Sequence, residues 1–287
     1  MYKLLALDMD GTLLDPQKMV TLPVQEAVQQ LVYNQIHVTL ASGRFPASVW
    51  LHGKYLGLKF PLIALNGAVI LDPVTGEKLF GYPISREIAC KIATFVEAKG
   101  SYIHYYGYNV LYVNELTEMN RAWPLANVVM DPSKELTEDN YRGQVHLIQV
   151  SPVGPLSHFL ASTEEEVYKA TVIDDDPAVI DRLYKEMSGW EGITLSRTGR
   201  RRFDINLADI NKKTALMKVC SEYNIASKQV VTIGDYDNDI EMLDWAGLGI
   251  AMGNGNDNAK GVANVITDSN ADHGVATAIR QYFELNR

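Results

Sequence analysis

The sequence predicts an α/β fold with a Rossmann-like parallel sheet as its core and an α+β domain inserted into that core. Three observations predict this class. Short apolar runs typical of strands buried on both faces alternate with segments of helical periodicity near both ends of the chain. Acidic or small polar residues follow these runs directly, as at the ligand-binding edge of open parallel sheets. Residues 83–199 break the alternation with helices and aromatic-rich strands of their own.

The bulk properties argue against several classes of function. The chain has 287 residues, which suits two domains or one domain with a large insertion. A formal net charge of −9 argues against binding to nucleic acid or to an anionic membrane surface. We find neither a signal-peptide pattern nor an apolar run long enough to span a bilayer. The two cysteines lack metal-ligand spacing and lie among apolar positions, so we expect a cytoplasmic protein.

The first predicted strand, residues 4–7, runs directly into two carboxylates. Asp8 and Asp10 are two residues apart in an extended segment, so they share a face, and Gly11 then allows a turn. Two like charges held this close are costly unless they share a proton or a cation neutralises them. The alternative is a pair of solvated acids in a loop, which would leave a buried strand ending in unpaired charge.

A second strand, residues 36–41, is followed by an anion-binding pattern. Ser42, Gly43 and Arg44 lead into a helix that begins at Pro46. Backbone N–H groups, a hydroxyl and the helix dipole at such a junction all favour a phosphate group. Further on, Asn66 begins an Asn-Gly hairpin signal, for which turn chemistry and a substrate contact are both open.

Two later segments add cations and a second acidic pair. Lys212 and Lys213 begin a helix, where their charge opposes the dipole and indicates that an anion lies nearby. The strand at residues 230–233 leads to Asp235, with Asp239 four residues further on. This spacing is unfavourable for like charges without a cation, and hard oxygen ligands of this kind suit Mg²⁺.

The predicted insertion shows fewer chemical signals. The acidic runs at residues 164–166 and 174–176 suit a helix start and a strand-to-helix turn, so we interpret them as solvated. Aromatic residues around His104 alternate across an expected strand, where most should pack in a sheet and one or two could face a substrate. The arginines at 200–202 suit a solvated hinge, with contact to a phosphorylated ligand as the alternative.

Four segments, in this order, resemble the motifs of the haloacid dehalogenase-like (HAD) superfamily, in particular the Cof-type phosphatases of the HAD-IIB group. They are Asp8-Met9-Asp10-Gly11-Thr12-Leu13-Leu14, Ser42-Gly43-Arg44, Lys212-Lys213-Thr214-Ala215-Leu216 and Gly234-Asp235-Tyr236-Asp237-Asn238-Asp239-Ile240-Glu241-Met242-Leu243. The fourth segment is the most specific of them. In the third, Lys213 stands where this group usually has glycine, which leaves open whether Lys212 or Lys213 reaches the site.

The resemblance implies a division of the chain and a set of residue roles. Residues 1–82 and 200–287 would form the HAD-like core, and residues 83–199 a C2-type cap that sets substrate specificity. Asp8 would be the nucleophile and Asp10 the general acid/base, and Lys212 would balance charge on the nucleophile and the transferring phosphoryl group. The implied magnesium ligands are Asp8, Asp10, Asp235 and Asp239. The implied contacts to phosphate or substrate are Met9, Gly11, Ser42, Gly43, Arg44, Asn66 and Asn238.

The sequence therefore predicts a Mg²⁺-dependent phosphatase for small phosphorylated metabolites, such as sugar phosphates, acting through an aspartyl-phosphate. Other readings of the same motifs are a phosphotransferase or phosphomutase, a signalling receiver, and a metabolite-binding relative without catalytic activity. The inserted cap and the acid/base Asp10 argue against a receiver, because both serve turnover of the intermediate. The substrate and the oligomeric state, monomer or homodimer, are left open.

Overall fold

A computed structural model describes residues 2–124 and 147–283. The strands of this part are, in chain order, β1 (Leu4–Leu7), β2 (His37–Leu40), β3 (Leu62–Ala64), β4 (Val69–Leu71), β5 (Lys78–Gly81), β6 (Tyr102–Tyr106), β7 (Val110–Val113), β8 (Gln149–Pro152), β9 (Lys169–Ile173), β10 (Ile193–Gly199), β11 (Arg202–Leu207), β12 (Val230–Gly234), β13 (Leu248–Ala251) and β14 (Val265–Ile266). They form three separate sheets.

The helices surround these sheets. In chain order they are α1 (Leu22–Tyr33), α2 (Pro46–Tyr55), α3 (Arg86–Ala98), α4 (Glu118–Ala122), α5 (Leu156–Ser162), α6 (Pro177–Met187), α7 (Lys212–Glu222), α8 (Ile240–Trp245), α9 (Asp257–Val262) and α10 (Gly274–Tyr282). Within the described residues, none of the helices has both the length and the apolar character needed to cross a membrane.

The core is a parallel sheet of five strands in the order β14-β13-β12-β1-β2. Leu4 of β1 lies opposite Val230 of β12 on one side and His37 of β2 on the other. The carboxyl ends of these neighbouring strands therefore meet at one edge of the sheet. The α/β prediction with a parallel core is confirmed.

The four apolar residues of β1 explain why that strand lies at the centre of the core sheet. Leu5 and Leu7 pack on one face with residues of α1 and α10, whereas Leu4 and Ala6 pack on the other face with residues of α7. All four side chains are fully buried. A strand covered on both faces needs an unbroken apolar run rather than an alternating one, and that is the pattern this segment has.

The predicted Asn-Gly hairpin joins β3 and β4, but its turn is longer than the two residues predicted. Ala64 pairs with Val69, so residues 65–68 make the connection. Asn66 has a positive φ of 58°. Its N–H donates to the carbonyl of Ser42 at 2.9 Å. The turn is longer because its backbone is hydrogen-bonded to the loop that follows β2.

A second unit is built on a sheet of six strands in the order β10-β11-β9-β6-β7-β8. On one face it packs against α3, α5 and α6 around its own apolar cluster. Ser85 and Asp176 cap α3 and α6 through side-chain hydrogen bonds. The opposite face contributes Tyr106, whose ring lies 4.7 Å from that of Phe45 in the core. This unit, which we call the cap, therefore covers the core next to the Ser42 loop.

Residues 202–207, which the resemblance would place in the core, form a strand of the cap sheet. As β11 it pairs antiparallel with both β10 and β9. Phe203 and Ile205 are buried in the apolar cluster of the cap, which explains the placement. The division of the chain at 82/83 and 199/200 stays a prediction, and we propose 207/208 for its second boundary.

Candidate active site

The candidate site lies where β1, β2 and β12 end. Asp8 directly follows β1, Asp235 directly follows β12, and Ser42 lies two residues beyond β2. Asp8 and Ser42 are buried, at 5% and 1% exposure. The side chains predicted at these three strand ends thus line one cavity of about 300 Å³. Residues far apart in the sequence meet here because parallel neighbouring strands end at the same edge.

Lys212 supplies the positive charge behind this edge. Its Nζ atom donates to Asp8 Oδ1 at 2.5 Å and to Asp239 Oδ1 at 2.6 Å. The Asn211 side chain caps α7 and fixes where that helix begins. Burial disfavours the Lys212 ammonium, but the two carboxylates outweigh burial and raise its pKa. Lys213 is only half-buried and has no place in the lining of the cavity, so Lys212 is the lysine that contacts Asp8.

Asp8, Asp235 and Asp239 form an acidic group that could hold a metal ion. Each offers a carboxylate oxygen, and these atoms lie within 4.8 Å of one another. Burial is the main cause of a raised pKa at both Asp8 and Asp235, and the neighbouring carboxylates raise it further. A cation among them would relieve both effects, so the donor set fits a divalent metal.

The members of this acidic group are not equally free to bind a metal. Asp239 Oδ2 accepts from the N–H groups of Asp235 and Tyr236 at 2.9 and 3.2 Å, while its other oxygen accepts from Lys212. Within the described residues the carboxylate of Asp235 accepts one hydrogen bond, from the Thr12 hydroxyl at 3.2 Å. Asp8 and Asp235 therefore have oxygen atoms to spare, whereas Asp239 serves mainly to orient its neighbours.

Gly11 allows the first motif to approach Asp235. Its φ is +85°, and a Cβ atom there would lie 2.4 Å from Asp235 Oδ2. Only glycine fits such a position without displacing the carboxylate. Met9, by contrast, is fully buried in the apolar core, so any contact of Met9 with phosphate would have to come from its backbone N–H.

Asp10 is held by two cations. Arg44 donates to it through Nε at 2.6 Å and Nη2 at 2.7 Å, and Lys18 Nζ lies 2.5 Å away. Burial would raise the pKa of Asp10, but these hydrogen bonds and charges outweigh burial and hold it well below its usual range. Arg44, predicted to contact the substrate, is therefore bound to Asp10. Lys18 was missed in the sequence because it lies in a loop without a motif.

Asn66 joins the core to the cap instead of facing the cavity alone. Its Nδ2 donates to Asp204 Oδ2 at 2.8 Å, and its Oδ1 accepts from Asn238 at 3.3 Å. Lys169 Nζ donates to the same Asp204 oxygen at 3.0 Å and to the carbonyl of Gly43 at 2.8 Å. These residues form what we call the junction network. It ties the cap to both the Ser42 loop and the hairpin.

The charges of the junction network are buried and depend on each other. Lys169 is 3% exposed and Asp204 is 4% exposed. Burial lowers the pKa of Lys169, and Asp204 partly offsets this. Burial would raise the pKa of Asp204, but Lys169, Thr171 and Asn66 outweigh burial and lower it. Removing one partner would leave the other charge unpaired in the interior.

Replacing Lys169 with methionine is therefore expected to lower the free energy of unfolding by about 3–5 kcal/mol at pH 7. With Lys169 present, the pKa of Asp204 is depressed, so its contribution is present at neutral pH and is lost as the pH falls. In the variant the pKa of Asp204 should be raised, so the difference in the free energy of unfolding should shrink as the pH falls from that raised value to about 4 and below. Urea titrations of the wild type and the variant, at pH 7 and below about pH 4, measure the free energy of unfolding.

The control for this prediction is Lys99→Met, which breaks the exposed pair with Glu186. It should change the free energy of unfolding by at most about 1 kcal/mol. The double variant Lys169→Met/Asp204→Asn should recover part of the loss. A Lys169→Met protein as stable as the wild type would show that the ion pair does not stabilise the folded state.

The cap side of the cavity consists of residues that have no motif in the sequence. They are Tyr106, Trp123, Lys169, Thr198, Arg202 and Asp204. Of the aromatic run around His104, Tyr106 lines the cavity, and Tyr105 is buried in the cap. His104 is fully buried and contacts the hydroxyl of Tyr106 at 3.2 Å, and burial lowers its pKa to about 3. One aromatic residue of the run therefore borders the cavity, in agreement with the alternation.

Comparison with known proteins places this site in a family. The model of the haloacid dehalogenase-like hydrolases matches residues 5–279. The chain belongs to this family. The resemblance noted in the sequence is therefore confirmed across the core and the cap of the HAD hydrolase described here.

Several relatives have been characterised or solved. Phosphatase YwpJ of Bacillus subtilis is 28% identical to this HAD hydrolase over 96% of the chain and 97% of its own length. A 5-amino-6-(5-phospho-D-ribitylamino)uracil phosphatase, YwtE, from the same organism is 28% identical over 97% of both chains. The structure of a B. subtilis haloacid dehalogenase-like hydrolase has a TM-score of 0.84 and 26% identity, covering 98% of this chain and 100% of the other.

A more distant solved structure has the same fold. The HAD subclass IIB sugar phosphatase BT4131 has a TM-score of 0.77 over 98% of both chains, at 20% identity. At this identity the comparison concerns the fold alone. The α/β core with a separate cap sheet, predicted for this HAD hydrolase, is confirmed.

Proposed function

We propose that this HAD hydrolase is a Mg²⁺-dependent phosphatase that hydrolyses small phosphorylated metabolites through an aspartyl-phosphate on Asp8. The observation that carries the proposal is the position of Asp8 at the end of the central strand. One of its oxygens accepts from Lys212, and the carboxylate faces a cavity also lined by Ser42, Asn238 and Asp235. Relatives that are named phosphatases support the class of reaction.

In the first step, the free oxygen of Asp8 attacks phosphorus and the bond to the leaving oxygen breaks. A carboxylate is a suitable nucleophile when its charge is balanced but not removed. Lys212 supplies this balance from behind the carboxylate. Ser42 and Asn238 border the same cavity and would donate to the phosphoryl oxygens, where charge is stabilised during transfer.

The residues that would hold the metal are Asp8, Asp235 and the backbone carbonyl of Asp10, with Asp239 beside them. When bound, Mg²⁺ would neutralise charge on the carboxylates and on the phosphoryl group. Asp239 already accepts from three donors, so we assign it to orienting Lys212 and the Asp235 backbone. Removal of the metal should then abolish turnover without unfolding the chain.

Asp10 is assigned to proton transfer, which requires its release from Arg44. An aspartate with a depressed pKa gives up no proton at neutral pH. A substrate oxygen that accepts from Arg44 would take this guanidinium away and let the pKa of Asp10 rise. Asp10 would then take up a proton from solvent, give it to the leaving oxygen, and afterwards accept a proton from the water that hydrolyses the aspartyl-phosphate.

The proposal is tested by phosphate release from p-nitrophenyl phosphate and a panel of phosphorylated metabolites, with Mg²⁺ and with EDTA. We expect release with Mg²⁺, at least about 100-fold less with EDTA, and recovery when Mg²⁺ is restored. Labelling of Asp8 without release would indicate a phosphotransferase. Neither label nor release across the panel would contradict a catalytic role.

The substrate is proposed to be a small molecule, since a cavity of about 300 Å³ suits one. The panel should include sugar phosphates and 5-amino-6-(5-phospho-D-ribitylamino)uracil, the compound that YwtE is named for. We also propose a cytoplasmic location, which the unpaired thiols of Cys90 and Cys220 favour.

A further inference from the structure

Arg202 differs from the other cationic side chains that line the cavity, because they form ion pairs with carboxylates and it does not do so within the described residues. Lys18 and Arg44 are bound to Asp10, and Lys169 is bound to Asp204. Arg202 also lines the cavity, but within residues 2–124 and 147–283 it has no carboxylate at ion-pair distance. A guanidinium stays charged at any pH at which the protein folds, so this exposed positive charge is available to an anionic ligand in the cavity.

The Arg202 side chain is exposed, but it makes two contacts beside the cavity. Its Nε donates to the carbonyl of Thr198 at 3.1 Å. Its guanidinium carbon lies 5.5 Å from the centre of the Trp123 ring, at a distance typical of stacking. These contacts use one donor and one face of the guanidinium. Among residues 2–124 and 147–283 the two terminal NH₂ groups have no hydrogen-bond partner, so they are available to a ligand in the cavity.

A second polar group lies next to Arg202. Thr198 lines the same cavity, and its hydroxyl oxygen is buried with no hydrogen-bond partner in the described part of the chain. Buried polar groups in folded proteins nearly always have a partner, so an unpaired one at a cavity needs an explanation. A ligand oxygen beside the guanidinium would accept from both side chains.

Arg202 and Asp8 border the cavity from different units of the fold. Arg202 belongs to β11 of the cap sheet, whereas Asp8 follows β1 of the core. A phosphate ester whose phosphorus lies at Asp8 would therefore direct its leaving group toward the cap. We propose that Arg202, with Thr198, binds a second oxyanion, a carboxylate or another phosphate, carried by the leaving group. The inference rests on the proposed phosphatase function.

An acidic group fits Arg202 better than a neutral hydroxyl does. Carboxylate and phosphate oxygens match the geometry of the guanidinium fork, and such charge-assisted pairs are roughly twice as strong as neutral hydrogen bonds. A neutral sugar would cover the guanidinium without balancing its charge. The cap would thus favour phosphorylated sugar acids or bisphosphates over neutral sugar phosphates.

The test compares matched substrates by their kcat/KM values. For a carboxylate, 6-phosphogluconate is compared with sorbitol 6-phosphate, and for a phosphate, fructose 1,6-bisphosphate is compared with fructose 6-phosphate. The wild type should favour the acidic member of one pair by about 10-fold or more. The pair that shows the preference identifies the oxyanion. In Arg202→Met the preference should fall toward 1, mainly through a higher KM for the acidic substrate.

Arg201→Met is the matched control, because Arg201 is an exposed neighbour that does not line the cavity. It should keep the wild-type preference, and Arg202→Lys should keep part of it. Equal use of acidic and neutral substrates by the wild type, or a preference that survives in Arg202→Met, would overturn the inference. No release from any substrate, p-nitrophenyl phosphate included, would instead contradict the phosphatase function itself.

Discussion

Replacing Asp8 with asparagine is expected to lower kcat/KM for phosphate release by at least about 10³-fold, equivalent to about 4 kcal/mol of transition-state stabilisation. The amide has nearly the same shape as the carboxylate, but its oxygen is a far weaker nucleophile. The contact with Lys212 can be retained, so the geometry of the site should survive. Phosphate release at saturating Mg²⁺ measures the effect, and acid-quenched protein should carry no phosphoryl label.

The thermal stability of Asp8→Asn shows whether its loss of activity comes from the missing nucleophile or from a damaged structure. Asp8 lies within the acidic group with Asp235 and Asp239, where burial and like charge raise its pKa. Removing its charge relieves repulsion, so the Tm without metal should not fall. Added Mg²⁺ should raise the Tm of the wild type by mass action and that of the variant much less. A variant that unfolds, or one that keeps its activity, would contradict the assigned role.

Replacing Lys212 with methionine is expected to lower kcat/KM by about 10²–10³-fold, the range for loss of a preorganised charged donor. Lys212 is 1% exposed and bridges Asp8 and Asp239 at 2.5 and 2.6 Å. Without Lys212, the buried carboxylates of Asp8 and Asp239 have lost the cation that neutralises them. The free energy of unfolding should therefore fall by about 3–5 kcal/mol. Kinetics with Mg²⁺ and urea titrations without it measure the two effects.

Lys213→Met is the matched control for this prediction. Lys213 is the next residue of the same helix, is half-buried and does not line the cavity. Its substitution should leave kcat/KM within about twofold and the free energy of unfolding within about 0.5 kcal/mol, as for surface positions. The reverse result, in which Lys213→Met is the inactive variant, would move the assigned charge to Lys213.

The core side of the site could be predicted from the sequence because its residues follow strands directly. Asp8, Ser42 and Asp235 each come at a strand end, and parallel strands end together whatever lies between them. Lys212 could be predicted because a lysine at a helix start is locally unfavourable without a nearby anion. In these cases the position of a residue at a strand end or a helix start was sufficient to indicate a contact with residues far away in the sequence.

The cap side could not be predicted in the same way. Lys169 and Arg202 occupy ordinary strand positions, and only the pairing of β9 with β11 and the docking of the cap bring them to the cavity. The pairing of Asp10 with Arg44 and Lys18 also depends on loop geometry that no periodicity encodes. The sequence also could not show which sheet residues 202–207 join, because buried strands of either sheet have the same apolar pattern.

The junction network limits how this enzyme can change in evolution. In the proposed mechanism the strand ends of the core supply the chemistry and the cap contacts the leaving group, so Arg202 or Trp123 could vary without altering Asp8. Lys169 and Asp204 lack that freedom, because they hold the Gly43 carbonyl and the Asn66 side chain. A lineage that acquires a new substrate should therefore keep Gly43, Asn66, Lys169 and Asp204 together, while neighbouring positions of the cap diverge.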